Sequence, residues 1–169
     1  GWNGIETVGA CINAFQKNGH RLDGNAADNP YVETVRLGYD WLFNKLATVA
    51  ISGSADSNNN GIGLTTPNGD YPDVTVSRIL DTLSRAQRHF AMAGTGADGV
   101  KHRHFADLAA DLADTLVARQ RTDDTYYGSW SRLDSYRGDT AAGMHVALAL
   151  RSAQRELGVM IPDSLKAAN

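Results

Sequence analysis

The chain has 169 residues, 42% of them hydrophobic, which is enough to bury roughly 70% of its unfolded surface and excludes an intrinsically disordered chain. Its formal charge of -3 comes from acids and bases interspersed along the sequence; without a basic stripe, polybasic tail or acidic block, nucleic acid and anionic membrane are poor partners. No apolar run approaches the roughly 18 to 20 residues of a transmembrane segment, and the single Cys11 excludes an internal disulfide and a zinc knuckle.

Ile5, Val8, Ile12 and Phe15 recur at helical spacing and predict a first helix over residues 5–16, with Gly19 as its stop. Asn29-Pro30 supplies a cap residue and a first-turn proline for a second helix over 29–51. It is expected to be the longest, with Val32, Val35, Tyr39, Leu42, Phe43 and Leu46 on one side. Residues 52–72, "SGSADSNNNGIGLTTPNGDYP", are dense in Ser, Asn, Gly and Asp and read as a long connection. Val76, Ile79, Leu80, Leu83 and Ala86 predict a third helix over 73–93, ended by "GTGADG". Phe105, Leu108, Leu112 and Leu116 predict a fourth over 104–120, with Asp107, Asp111 and Asp114 turned away from the apolar stripe. "GDTAAGMHVALALRSAQREL" predicts a fifth, ended by Gly158, and "VMIPDSLKAAN" reads as a short tail. No segment alternates apolar and polar residues over a length that predicts a strand.

The helices repeat. Glu6-Thr7, Asp73-Val74-Thr75 and Asp139-Thr140 each open a helix, lie 67 and 66 residues apart, and follow glycine-containing loops at Gly1-Trp2, Gly61-Ile62-Gly63-Leu64 and Gly128-Ser129-Trp130. Helices one, three and five then form an inner layer, helices two and four a more charged outer one. The predicted class is all-α, one domain over residues 1–169; a start at "GWNGIE" without an initiator Met is expected of a piece cut from a longer protein or, as the alternative, of a mature form.

Leu116, Gln120, Gly128 and Trp130 resemble a stretched form of the QW motif of the terpene cyclase and prenyltransferase α/α-toroid superfamily, and Trp2 resembles the end of another copy. "NPYVETVRLGYDWL", "NNNGIGL" and "DTAAGMHVALAL" are similar in order to squalene-cyclase-like repeat proteins of unassigned function. The resemblance implies an arc of about two and a half antiparallel helix pairs, with Gln120 capping the start of helix five and Trp130 wedged between repeats. It does not carry over the chemistry: the Asp-x-Asp-Asp acid motif is missing, Asp123-Asp124 lies in a loop, and Cys11 sits mid-helix in a pattern that buries it, away from any zinc set.

Asp56, Asn58, Asn60 and Gly61 occupy positions one, three, five and six of a calcium-loop pattern, but position twelve is Pro67 instead of a bidentate acid. Gly63 also replaces the usual aliphatic residue at position eight, so the segment is read as a plain Asn/Gly turn, with a cation site of another kind closed by Asp70 or Asp73 as the alternative, and calcium is expected to leave the melting temperature nearly unchanged. His102 and His104 with Asp107 are read as a solvated helix entry, His145 as a structural residue of helix five, and Asp123, Asp124, Tyr126, Tyr127 and Trp130 as repeat packing in preference to a sugar site. Glu6, Asp73 and Asp139 are read as helix-start acids and, should the inner helices share one polarity, as a ligand-binding rim. No catalytic residue, metal or cofactor is assigned. The expected function is a non-catalytic repeat domain that binds a ligand or protein partner within a larger protein. The alternative is part of an α/α-toroid enzyme acting on an isoprenoid lipid or a polysaccharide.

Overall fold

A computed structural model describes residues 4–67, 72–122, 127–131 and 138–162. Among them are helices α1 (Gly4–Lys17), α2 (Tyr31–Phe43), α3 (Pro72–Ala86), α4 (Phe105–Ala118) and α5 (Thr140–Leu157), and strands β1 (Ala47–Ala50) and β2 (Ile62–Thr65), with a short 3-10 turn over Gly53–Ala55. The chain is mostly helical, with a small two-stranded sheet that the all-α expectation did not contain.

The centre of the molecule is α3. Twelve of its residues are buried, including Asp73, Thr75, Ser77, Asp81, Thr82 and Ser84 as well as the predicted apolar stripe. Gly9 of α1 lies against Arg78, Asn13 against Asp81 and Gln16 against Thr82, so positions rise together and α1 runs parallel to α3. Asp73 bonds Ser131, ahead of α5, and Gln87 bonds Glu156 near the end of α5, so α5 is parallel to α3 as well. Trp41 packs on Gly4 and Gly38 on Ile12, which makes α2 antiparallel to α1. Asp73 at the start of α3 pairs with Arg119 past the end of α4, which makes that pair antiparallel too.

Three sequence expectations are corrected here. The second helix ends at Phe43 instead of continuing to residue 51: Asn44 closes it with its backbone N–H on Asp40 and its side-chain amide on the Asp40 carbonyl. The β-branched Thr48 and Val49 then extend, and α5 is the longest helix. The supposed long connection is a hairpin, β1 pairing antiparallel with β2 in the register Ala47 to Thr65 and Ala50 to Ile62. Its short strands hide their alternation because β1 is largely exposed while Gly63 and Leu64 of β2 are buried. The third helix stops at Ala86, and residues 91–93 turn back to pair with 102–105 through Ala93 on Arg103 and Phe105 on Ala91.

The hairpin packs on α4, and this accounts for a further correction. Asp111 and Asp114, expected on the solvent face, are both 0% exposed beneath β2 and the loop that precedes it. The approach is close: a side chain at Gly63 would meet Thr115 Oγ1 at 2.4 Å and the Ile51 side chain at 2.5 Å. On the other face of α4, Leu108, Leu112 and Leu116 are fully buried, each worth about 1.5 to 3 kcal/mol. Cys11, expected to be buried, is exposed.

Trp130 is 3% exposed and donates its indole Nε1–H to the Leu116 carbonyl at 2.8 Å, one of the α4 end carbonyls that lack an intrahelical donor. Its own carbonyl accepts from Asp139, so it joins the end of α4 to the start of α5 as expected of a packed aromatic there. Gln120 differs: its amide donates to the Gly128 carbonyl at 2.8 Å, closing its own loop instead of reaching helix five. Trp2, Asp123, Asp124 and Tyr126 lie outside the described residues. Replacing Trp130 by Ala is expected to destabilise the fold by about 3 to 5 kcal/mol; urea unfolding with an unchanged midpoint would contradict this packing.

Candidate functional site

Of the three helix-start acids, Asp139 is a cap: its carboxylate accepts from Ala141 at 2.7 Å and Ala142 at 3.3 Å. Asp73 sits at the same end of the parallel helices but is 2% exposed and committed to Arg119 and to the Ser131 amide. Glu6 is half-buried in the first turn of α1 and, among the described residues, bonds neither of them. Two of the three therefore already have structural partners at their own helix starts.

A groove lies along the other stretch of the parallel helices. Its volume is about 770 Å3, and it is bounded by three helical faces, each at i, i+3, i+7 spacing: Ala10, Asn13 and Lys17 of α1, Arg78, Asp81 and Arg85 of α3, and Leu148, Arg151 and Arg155 of α5. Arg21 completes a set of six cations against two carboxylates, Asp81 and Glu156. In a chain of net charge -3 this concentrates the opposite sign.

Both carboxylates are occupied. Asp81 accepts from Arg85 Nε with both oxygens, at 3.0 and 2.9 Å, and from the Asn13 amide at 3.0 Å. The bond to Asp81 holds the Arg85 guanidinium more firmly protonated than usual, against the opposing effect of its partial burial. Glu156 accepts from Gln87 at 2.6 Å and pairs with Arg155, and these bonds lower its pKa. Lys17, Arg21, Arg78 and Arg151 have no carboxylate within ion-pair distance among the described residues, and the Nε of Arg78 is buried without an acceptor. Lys17, Arg85 and Arg155 stand in last turns, where a cation complements the helix dipole regardless of ligand. Arg78 and Arg151 are mid-helix, so the dipole does not account for them.

Sequence reasoning missed this groove. Its signal was present as cations recurring at 78 and 85 and at 151 and 155, but the distance in sequence between the segments concealed that they face one another.

A second charged centre lies under the hairpin. The Asp111 carboxylate is fully satisfied: Asn58 and Asn60 each donate a side-chain amide to Oδ1 at 2.9 Å, and Arg103 donates to Oδ2 at 2.6 Å. Asp114, one turn on, is equally buried, yet among the described residues neither of its oxygens has a hydrogen bond of proper geometry. Burial pushes its pKa up to about 6; the Ser57 hydroxyl and amide beside it act to lower it, and the charges of Asp111 and Asp56 raise it further. The histidines form no comparable centre: His104 meets the Phe90 carbonyl and His102 is exposed. Among the described residues, no three His, Cys, Asp or Glu side chains by themselves form a group able to hold a metal ion. No helix described is long and apolar enough to cross a membrane.

No family model, characterised protein or solved structure matches the chain.

Because the folded pKa of Asp114 exceeds the unfolded value, the native state holds more protons than the unfolded chain between about pH 4 and 6, and stability falls as pH rises through that window. In the presence of chelator at pH 7.5, Asp114→Asn is therefore expected to stabilise the protein by on the order of 2 to 3 kcal/mol, with no gain below pH 4. Urea unfolding at both pH values measures this, and an equal effect at the two would contradict it.

Proposed function

We propose that the chain is a non-catalytic binding domain, and that the groove between α1, α3 and α5 is its ligand-facing surface, receiving an anionic ligand. The observation that carries the reading is the set of cations without an ion-pair partner among the described residues, Lys17, Arg21, Arg78 and Arg151, held in one concavity by three parallel helices and the turn after α1. The volume falls within the range of ligand sites, about 300 to 1,000 Å3. Guanidinium groups suit carboxylate, sulfate or phosphate because their paired N–H donors match two oxygens at once.

The proposed architecture is that of a squalene-cyclase-like α/α-toroid fragment. Parallel α1, α3 and α5, with α2 and α4 antiparallel to α1 and α3, support it, since inner helices of such an arc share one direction. Within the same family the alternative is an enzyme. An isoprenoid chain fits the groove poorly, because few of its lining side chains are apolar; an acidic polysaccharide fits its charge.

Heparin serves as a probe for both readings. The protein is expected to be retained on immobilised heparin at low ionic strength despite its net negative charge, and to elute as salt screens the groove. The double variant Arg78→Gln, Arg151→Gln should flow through while melting as the parent does. Flow-through of the parent itself would remove the proposal, and shortening of the heparin chains on incubation would put the enzyme reading first.

A further inference from the structure

The loop of residues 56–61 and the buried acids of α4 compose a site distinct from the groove. Asp56 accepts from the Asn60 amide at 3.2 Å and the Gly61 amide at 2.9 Å, and Gly61 takes a φ of +73°, so the carboxylate folds the loop around itself. The side-chain oxygen of Asn58 accepts from Asn60 at 3.1 Å, and that of Asn60 from Ile62 at 2.7 Å; each keeps a lone pair. Asp111 holds the amide nitrogens of both asparagines. Their donors are thus turned to Asp111, and what the loop has left to offer is oxygen.

Asp114 is the independent observation. A carboxylate fully out of water and lacking a hydrogen bond of proper geometry is an expensive group for a fold to keep, and here it stands near two more acids. Among the described residues, Asp56, Asp111 and Asp114 carry three negative charges against the guanidinium of Arg103, leaving two uncompensated. A divalent cation supplies that charge.

We propose that the 56–61 loop and α4 form a calcium site in which the carboxylates of Asp114 and Asp56 are the charged ligands, completed by amide and hydroxyl oxygens of the loop and by water. All the candidate donors are hard oxygens, without sulfur or imidazole, as suits the larger, less geometrically strict calcium ion better than magnesium. This reverses the sequence expectation of an inert turn. That expectation rested on Pro67 at position twelve and Gly63 at position eight of the loop pattern, whereas the fold brings an acid from α4, 47 residues beyond Pro67. Asp111 remains with Arg103 and the two asparagines, positioning the loop.

The experiment is a thermal melt of chelator-stripped protein with and without 1 mM calcium chloride, together with calorimetric titration of calcium. At about a hundredfold excess over Kd the melting temperature is expected to rise by roughly 5 to 10 °C, with one calcium bound per chain. Asp56→Asn and Asp114→Asn should each abolish the rise. Asp114→Asn should also melt no lower than the parent in chelator, which separates loss of a ligand from loss of the fold. An unchanged melt of the parent, a rise that survives Asp114→Asn, or an equal rise with 1 mM magnesium would each overturn the proposal.

Discussion

The structure depends on burying α3 on nearly every side although it is not an apolar helix. Its polar side chains make this possible by bonding locally. Ser77 donates to the Val74 carbonyl, Thr82 to Arg78 and Ser84 to Leu80, so three hydroxyls enter the interior already satisfied by their own helix. The Thr82 carbonyl in turn accepts from the Tyr39 hydroxyl at 2.8 Å. Burial holds that phenol protonated, its pKa raised well above the ordinary value, and Gln16 accepts from it as well. Neighbouring helices can therefore close on α3 from several directions at once, and the buried Tyr39, Phe43 and Phe105 rings pack together beside it.

With α3 enclosed, charged residues are left only specific places. Arg78, Asp81 and Arg85 emerge along the line where α1 and α5 do not meet, which produces the groove. Asp73 is sealed at the helix start and held by Arg119. A carboxylate this deep requires its partner: removing the arginine would strand a buried charge, a larger loss than the pair itself contributes. The three acids that mark the 66- and 67-residue spacing have thus taken different roles, Asp139 as a cap, Asp73 as one half of a buried ion pair, and Glu6 as a half-buried first-turn acid.

Periodicity alone located α1, α4 and α5 to within a few residues, because each has an apolar stripe that meets a neighbour and a polar remainder that does not. It failed at α2, where Leu46 continues the helical spacing although the chain has already turned at Asn44. It failed again at α4, where Asp111 and Asp114 follow the polar phase of the pattern yet are buried. That face is covered by a hairpin from far earlier in the chain, and no local pattern reports what will be laid over a helix. The groove was hidden for the same reason: each contributing face was visible as helical spacing, but their convergence is a property of the assembled helices. The calcium-loop pattern was visible in sequence, and only the distant carboxylate was not.

The separation of the two charged sites has an energetic consequence. The groove uses α1, α3 and α5; the loop and its acids use the hairpin and α4; no lining residue is shared. Between them lie α3 and the leucine face of α4, where Leu80, Leu83, Leu108 and Leu112 are all at 0% exposure. Such a close-packed layer has no second arrangement for a ligand on one side to favour, and coupling between sites requires a state that both ligands bias. Charge acting through the layer is the remaining route, and a cation neutralising the acids would remove part of the negative potential that favours the groove's guanidiniums. Occupancy of the loop should therefore leave the shape of the groove unchanged and shift its attraction for anions only through that long-range field, an influence that salt in the surrounding water screens.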